Sequence, residues 1–142
     1  MADFAAELTA QQDAISVLTE RVASYLAASG VDIRAAHHVT LVLDELLTNV
    51  VSHGSAGAPV SVSLTISPDR VTAEVVDGGP MFEPRVAQNL YLSADVEERR
   101  IGGLGLLLVH QVTEGLAYER AGGRNRTTFS ICRQASQKGL RR

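Results

Sequence analysis

The sequence predicts a two-layer α/β sandwich of the α+β kind, a mixed, mainly antiparallel sheet covered on one face by helices. Three observations carry this. Apolar residues recur at spacings of three and four through residues 9–52, the period changes to two after Pro59, and the later strands are joined by short turns. Hairpin-linked strands pair antiparallel, and a sheet that is apolar on one face needs a helical layer to bury it. A doubly wound parallel sheet would instead alternate strand and helix.

Each element follows in order. Asp3 to Leu8 is read as a short strand. From Thr9 to Ser29, one helical face is marked by Ile15, Leu18, Val22, Tyr25 and Leu26, and Gly30 stops the helix as glycine past a helix end does. Asp32 is placed to cap a second helix running to about Ser52, with the stripe Ala36, Val39, Leu43, Leu46, Leu47 and Val50. Beyond the loop Ser55 to Pro59, Val60, Val62, Leu64 and Ile66 alternate with hydroxyl residues, as Val71, Ala73 and Val75 do with polar ones. Ser67-Pro68-Asp69-Arg70 is turn chemistry between them, and Asp77-Gly78-Gly79-Pro80 ends the second strand. Residues 84–102 are irregular, with a short helix at Arg85 to Leu92. A third helix is predicted from Gly103 to about Leu116, then strands Ala117 to Arg120 and Arg126 to Arg133 around the turn Ala121 to Asn125. The chain is read as one domain, residues 1–142, with a polar, frayed tail at 134–142.

Composition narrows the function. At 142 residues the chain suits one core, and 45% apolar with 20% charged residues is a globular balance. A net charge of −3 lacks the basic footprint that nucleic acid requires, and with no Trp, three Phe and three Tyr there are few rings to stack on bases. Cys132 is the single cysteine, so no internal disulfide or thiolate zinc cluster is possible. It is read as a small buried residue of the last strand. The first residues lack a signal peptide's basic and apolar regions, and the longest apolar run, Leu104 to Val109, is too short for a bilayer. The expectation is a cytoplasmic protein with no membrane and no nucleic-acid partner.

Three local patterns carry chemistry. Glu45 and Asn49 stand four apart on the second helix, about 40° apart around its axis, off the apolar stripe. A solvated helix face would explain such a pair. Asn, however, is a poor mid-helix residue unless its amide has a partner, and His53 follows on nearly the same side. The second pattern is a strand running into Asp77-Gly78-Gly79, either a plain turn or an acidic acceptor with glycines that let a flat ligand approach. The third is Gly102-Gly103-Leu104-Gly105 opening an apolar helix. Glycines there cost about 1 kcal/mol each against Ala. They serve either close helix packing or phosphate binding at a helix N-terminus. A dinucleotide fingerprint is excluded because Leu108 stands at the third glycine, and a P-loop because the sole lysine is Lys138.

The order of these patterns is more specific than any one of them. Leu43-Asp44-Glu45-Leu46-Leu47-Thr48-Asn49-Val50-Val51-Ser52-His53-Gly54, then Asp77-Gly78-Gly79-Pro80-Met81-Phe82-Glu83-Pro84, then Gly102-Gly103-Leu104-Gly105-Leu106, then Tyr118 to Phe129, resemble the GHKL (histidine-kinase-like) ATPase superfamily. Within it the chain is similar to the anti-sigma-factor serine/threonine-protein kinases, over residues 10–133. Met81 stands where the wider superfamily has a second glycine, and Arg126 where a glycine often precedes the threonine.

The resemblance implies the Bergerat ATP-binding fold with ATP and Mg²⁺ as cofactors. Asn49 would ligate Mg²⁺, whose preference for oxygen donors suits an amide. Glu45 would be the base of phosphoryl transfer. Asp77 would accept the adenine amino group beside Gly79. Gly103 and Gly105, with Leu104 and Leu106, would meet the phosphates, and Thr127 would complete the nucleotide contacts. Residues 84–102 correspond to the family's ATP lid, where Arg99 and Arg100 either neutralise phosphate or form a solvated cluster with Glu97 and Glu98. His37, His38 and His110 are read as surface or packing residues, since no pair has zinc spacing.

The function implied is a serine/threonine protein kinase acting as an anti-sigma factor in a partner-switching system. It would phosphorylate an anti-anti-sigma (STAS) protein, hold a sigma factor in turn, and pair as a homodimer. The alternatives are an ATP-gated binding module without phosphotransfer, and an ATP domain serving another kinase's acceptor in trans.

Overall fold

The structure, a computed structural model, describes residues 2–53, 58–80 and 109–134. Its elements are β1 (Phe4–Thr9), α1 (Gln12–Ala28), α2 (Ile33–His53), β2 (Pro59–Ile66), β3 (Arg70–Asp77), β4 (Glu114–Ala121) and β5 (Arg124–Cys132), with residues 109–112 also helical. The strands form one sheet in the order β1-β2-β3-β5-β4. Every pairing among these described strands is antiparallel, stricter than the mixed sheet expected. The turns explain much of this: Gly122 and Gly123 join β4 to β5 with φ of 61° and 75°, the left-handed pair that a two-residue hairpin requires.

The sheet has one apolar face. Val60, Val62, Leu64, Val71, Ala73, Val75, Phe129 and Ile131 are buried there under α1 and α2. From α1 come Ile15, Leu18, Val22 and Leu26, in the spacing the sequence shows, with Tyr25 half-buried. The stripe of α2 is rotated slightly from expectation: Ala35, Val39, Val42, Leu43, Leu46 and Leu47 are buried, while Ala36 and Val50 lie at its margin. The opposite sheet face is polar, with the hydroxyls of Thr72 and Ser130 2.9 Å apart and Arg126 paired to Glu74 at 2.9 Å.

Helix ends follow local chemistry. After α1, Gly30 has φ 79°, its N–H donates to the Ala27 carbonyl at 3.1 Å, and the Val31 N–H reaches the Leu26 carbonyl at 3.0 Å. That is a Schellman motif, closed by the buried side chain of Val31. Asp32 then caps α2 by accepting the Ala35 N–H at 3.1 Å. The first helix starts three residues later than Thr9, because β1 pairs with β2 as far as Thr9↔Pro59.

Two expectations are overturned by strand pairing. The third helix does not reach Leu116. It ends where Thr113 turns back on the Val109 carbonyl, and β4 starts at Glu114, opposite Ser130. Gly115 (φ 62°) lies in the irregular register between Glu114 and Ala117 that starts β4 on β5. Cys132 is exposed, not buried, because alternation puts Phe129 and Ile131 in the core and turns Cys132 outward, where its thiol donates to Glu114 at 2.9 Å. Gln134, read as part of a frayed tail, is held by its N–H on Asp32 at 2.8 Å. Among the described residues no helix is long and apolar enough to cross a membrane.

Candidate functional site

Among the described residues only three polar side chains are buried: Asp77 at 8% exposure, Asn125 at 5% and Thr127 at 8%. They cluster. Asp77 ends β3 opposite Asn125 on β5, and Thr127 lies two residues further along β5, opposite Val75. Period-two alternation puts Asn125 and Thr127 in phase with Phe129 and Ile131, so all three face the helix layer. The apolar core therefore gives way to a polar patch at one end of the sheet.

Asp77 is held by its neighbours. The amide of Asn125 donates to Asp77 Oδ1 at 2.8 Å, and the Gly79 N–H reaches the same oxygen at 3.3 Å, an Asx-type turn. Asn125 Nδ2 also donates to the Pro80 carbonyl at 2.9 Å and lies 3.3 Å from that of Gly79. Behind it, Asn125 Oδ1 accepts the Tyr118 hydroxyl and, at 2.7 Å, Arg120 Nη1, which is also 2.9 Å from the Gly79 carbonyl. Oδ2 of Asp77 has only a 3.5 Å contact with the Asn125 amide. It is the oxygen left with capacity to accept a ligand's hydrogen.

The second half of the site is on α2, which packs over β3 and β5. Residues 54–58 link its last turn to β2, whose Val60 pairs with Asp77, so connectivity brings the end of α2 to the same end of the sheet. Glu45 and Asn49 are half-buried here, not on the solvated face a generic pair would occupy. Burial pushes the Glu45 carboxyl above its usual range, and the adjacent Asp44 adds to this. The Asn49 amide nitrogen is buried and has no hydrogen-bond partner. A buried amide left unpaired costs stability, so its retention mid-helix points to a ligand.

The structure thus brings Asp77, Gly79 and Thr127 together and sets Glu45 and Asn49 in the second half of the helix whose end reaches that end of the sheet. Gly103, Leu104, Gly105, Leu106, Met81, Arg99, Arg100 and the 84–102 segment lie outside the described residues. His37 is exposed and His38 half-buried, and His110 has a buried Nε2 without a partner. Asn125, Tyr118 and Arg120 fall within the stretch that carries the family resemblance, but the sequence assigned them no role. The available signal was a polar residue, Asn125, in phase with Thr127, Phe129 and Ile131 on a strand whose other positions in that phase are core.

A magnesium nucleotide suits this donor set. Among the described residues no group of three or more His, Cys, Asp or Glu could cage a metal. Mg²⁺ asks for less, since it keeps several waters and binds through phosphate oxygens plus one or two protein oxygens. The amide oxygen of Asn49 is of the type that single role needs, and its buried, unpartnered Nδ2 is a donor that suits a phosphate oxygen of the same ligand.

A helix-covered antiparallel sheet carries a buried carboxylate at a strand end and a Glu/Asn pair on the covering helix, an α+β domain with a polar site at one end of its core. A family profile described as histidine kinase-like ATPase domain matches residues 8–131. The chain belongs to that family. No curated protein sequence matches it. Similar solved structures include the RsbU and RsbW domains of Rv1364c from Mycobacterium tuberculosis, with TM-score 0.64 and 15% identity over 92% of this chain. The match spans only 33% of that chain. The SiaB–SiaC complex from Pseudomonas aeruginosa gives TM-score 0.57 and 20% identity over 92% of this chain and 90% of that one. The catalytic domain of histidine kinase ThkA gives TM-score 0.52 and 12% identity over 91% and 97%. At these identities the likeness is one of fold.

Proposed function

We propose that the chain binds Mg·ATP and transfers its γ-phosphoryl group to a serine or threonine hydroxyl of a partner protein, as the anti-sigma kinase of a partner-switching system. The partner class is an anti-anti-sigma (STAS) protein, with a sigma factor as the competing partner and a second copy of the chain as the pairing unit. One observation carries the reading: a half-buried carboxyl with raised proton affinity, Glu45, stands one helical turn from Asn49, whose buried amide nitrogen has no hydrogen-bond partner and suits a phosphate oxygen. Family membership supports the nucleotide, and two of the fold relatives are described with RsbW and SiaB–SiaC.

In this reading Asp77 Oδ2 accepts the adenine amino group, with Gly79 beside it and Thr127 alongside on β5. Gly103 and Gly105, with Leu104 and Leu106, are the residues assigned to the phosphates. When bound, Mg²⁺ neutralises phosphate charge. Asn49 supplies the protein's oxygen to it. Glu45 takes the proton from the incoming hydroxyl as that oxygen bonds to the γ-phosphorus; the bond from phosphorus to the bridging β–γ oxygen breaks and ADP leaves. Little else is demanded of the protein, since phosphoryl transfer depends mainly on positioning and charge neutralisation.

The test mixes the protein, Mg·ATP and candidate STAS proteins, then reads intact masses for one added phosphate on serine or threonine. Glu45→Ala is expected to keep ATP affinity and lose transfer; undiminished transfer removes Glu45 as the base. ATP binding with no transfer to any partner favours the ATP-gated module instead. Calorimetry showing no heat with ATP or ADP at millimolar concentration sinks both.

A further inference from the structure

We infer that Asn125, backed by Tyr118 and Arg120, is a positioning residue that makes Asp77 selective for a 6-amino purine over a 6-oxo purine. The inference rests on the reading that Asp77 meets the base, and it adds the device that decides which base is accepted.

Asn125 Nδ2 donates toward three acceptors: Asp77 Oδ1 at 2.8 Å, the Pro80 carbonyl at 2.9 Å and the Gly79 carbonyl at 3.3 Å. Around its Oδ1 lie two donors, the Tyr118 hydroxyl and Arg120 Nη1 at 2.7 Å. The amide has one allowed orientation, because a flip would set its oxygen against a carboxylate and two carbonyls. Arg120 adds a formal charge behind the amide oxygen, which polarises the group and strengthens its donation forward. Aspartate at this position would oppose Asp77, and leucine would leave Asp77 Oδ1 and the Pro80 carbonyl short of a donor.

This clamp has a chemical consequence. Asp77 Oδ1 is engaged twice, by Asn125 and by the Gly79 N–H, so the carboxylate plane cannot turn freely. Oδ2, with its single 3.5 Å contact, remains the acceptor. A fixed acceptor rewards a ligand donor in one place and penalises an acceptor there. The 6-amino group of adenine is a donor; the 6-oxo group of hypoxanthine or guanine is an acceptor and meets the carboxylate lone pairs. Discrimination of this kind depends on a buried polar group that cannot rearrange to suit the wrong ligand. Asn125 and Asp77, at 5% and 8% exposure, meet that requirement.

The experiment compares dissociation constants for Mg·ATP and Mg·ITP by calorimetry in the whole chain. Wild type is expected to prefer ATP. Asn125→Leu is expected to lower the ATP-to-ITP affinity ratio about tenfold, the scale of one charged hydrogen bond. A loosened fold would weaken both nucleotides together and leave the ratio alone, so the ratio isolates positioning from stability. Should Asn125→Leu fail to fold, Tyr118→Phe with Arg120→Leu removes both donors from Asn125 Oδ1 while keeping the amide, and the ratio is expected to fall in the same direction. An unchanged ratio in either folded variant overturns the positioning role while leaving the nucleotide site standing. A wild-type protein that binds ATP and ITP equally overturns the assignment of Asp77 to the base, and the inference with it.

Discussion

Asp32 and Gln134 meet across the molecule: one carboxylate caps the start of α2 through the Ala35 N–H and accepts the Gln134 N–H at 2.8 Å, just beyond β5. Beside it, Arg133 donates to the carbonyls of Ser67 at 2.7 Å and Gly30 at 3.2 Å, so three loops are tied at this corner.

Asp32→Ala should therefore cost more than a simple cap. Loss of an N-cap alone is worth about 1 kcal/mol, and the stranded Gln134 N–H adds to it. Burial alone would raise the Asp32 pKa, but the hydrogen bonds from Gln134 and Ala35, with the charge of Arg133, outweigh it and lower the value. The contribution is thus complete above the ordinary aspartate value, about 3.9, and is lost as pH falls through the lower folded-state value. Urea denaturation against pH should show an acid limb in wild type that is shallower in Asp32→Ala.

Asn49 is expected to trade stability for binding. Asn49→Ala removes a buried, unpartnered amide nitrogen and replaces a poor helix former by the best one. The melting temperature of the ligand-free protein should stay level or rise, while magnesium-dependent ATP affinity falls at least tenfold. A variant that melts early and binds normally would give Asn49 a structural role instead.

The raised pKa of Glu45 predicts the shape of the transfer rate against pH. Burial first, and the Asp44 charge second, favour its protonated form, so the base is lost as pH falls through a value above the ordinary glutamate range, about 4.3. Stability runs the other way: the folded protein holds this proton more tightly than the unfolded chain, so the group favours folding at low pH and loses that contribution as pH rises through the folded value. Single-turnover transfer should show this acid limb, and residual transfer in Glu45→Gln should lack it. Glu45→Gln should also be at least as stable as wild type at neutral pH, by thermal melting.

Phe129, at 1% exposure, is the largest fully buried side chain among the described residues. Phe129→Ala should destabilise the fold by about 3–5 kcal/mol, lost transfer energy plus cavity. Chemical denaturation measures it, and a loss under about 1 kcal/mol would mean the core collapses around the gap.

Much of this protein is determined by local pattern. Spacings of three and four among Ile15, Leu18, Val22 and Leu26, the alternation of Val60, Val62 and Leu64, the capping aspartate at 32 and the glycine at 30 each act within a few residues, so helices, hairpin and fold class are visible without coordinates. Asn49, a poor mid-helix residue, and Asp77, which ends a periodic run, stand out for the same reason; Glu45 is marked by its spacing to Asn49, and Thr127 only by the family resemblance.

What tertiary structure decided was which local tendency prevails and which polar groups share an oxygen. Glu114 to Ala117 has helical neighbours, yet β5 offers a ladder of partners that a helix end cannot match. Cys132 is apolar enough for a core, yet register turns it outward. Asn125 gains Asp77 as a partner only because antiparallel pairing sets the two opposite each other, forty-eight residues apart in sequence. Hydrogen bonds of that kind depend on distance in space, and no spacing along the chain encodes them.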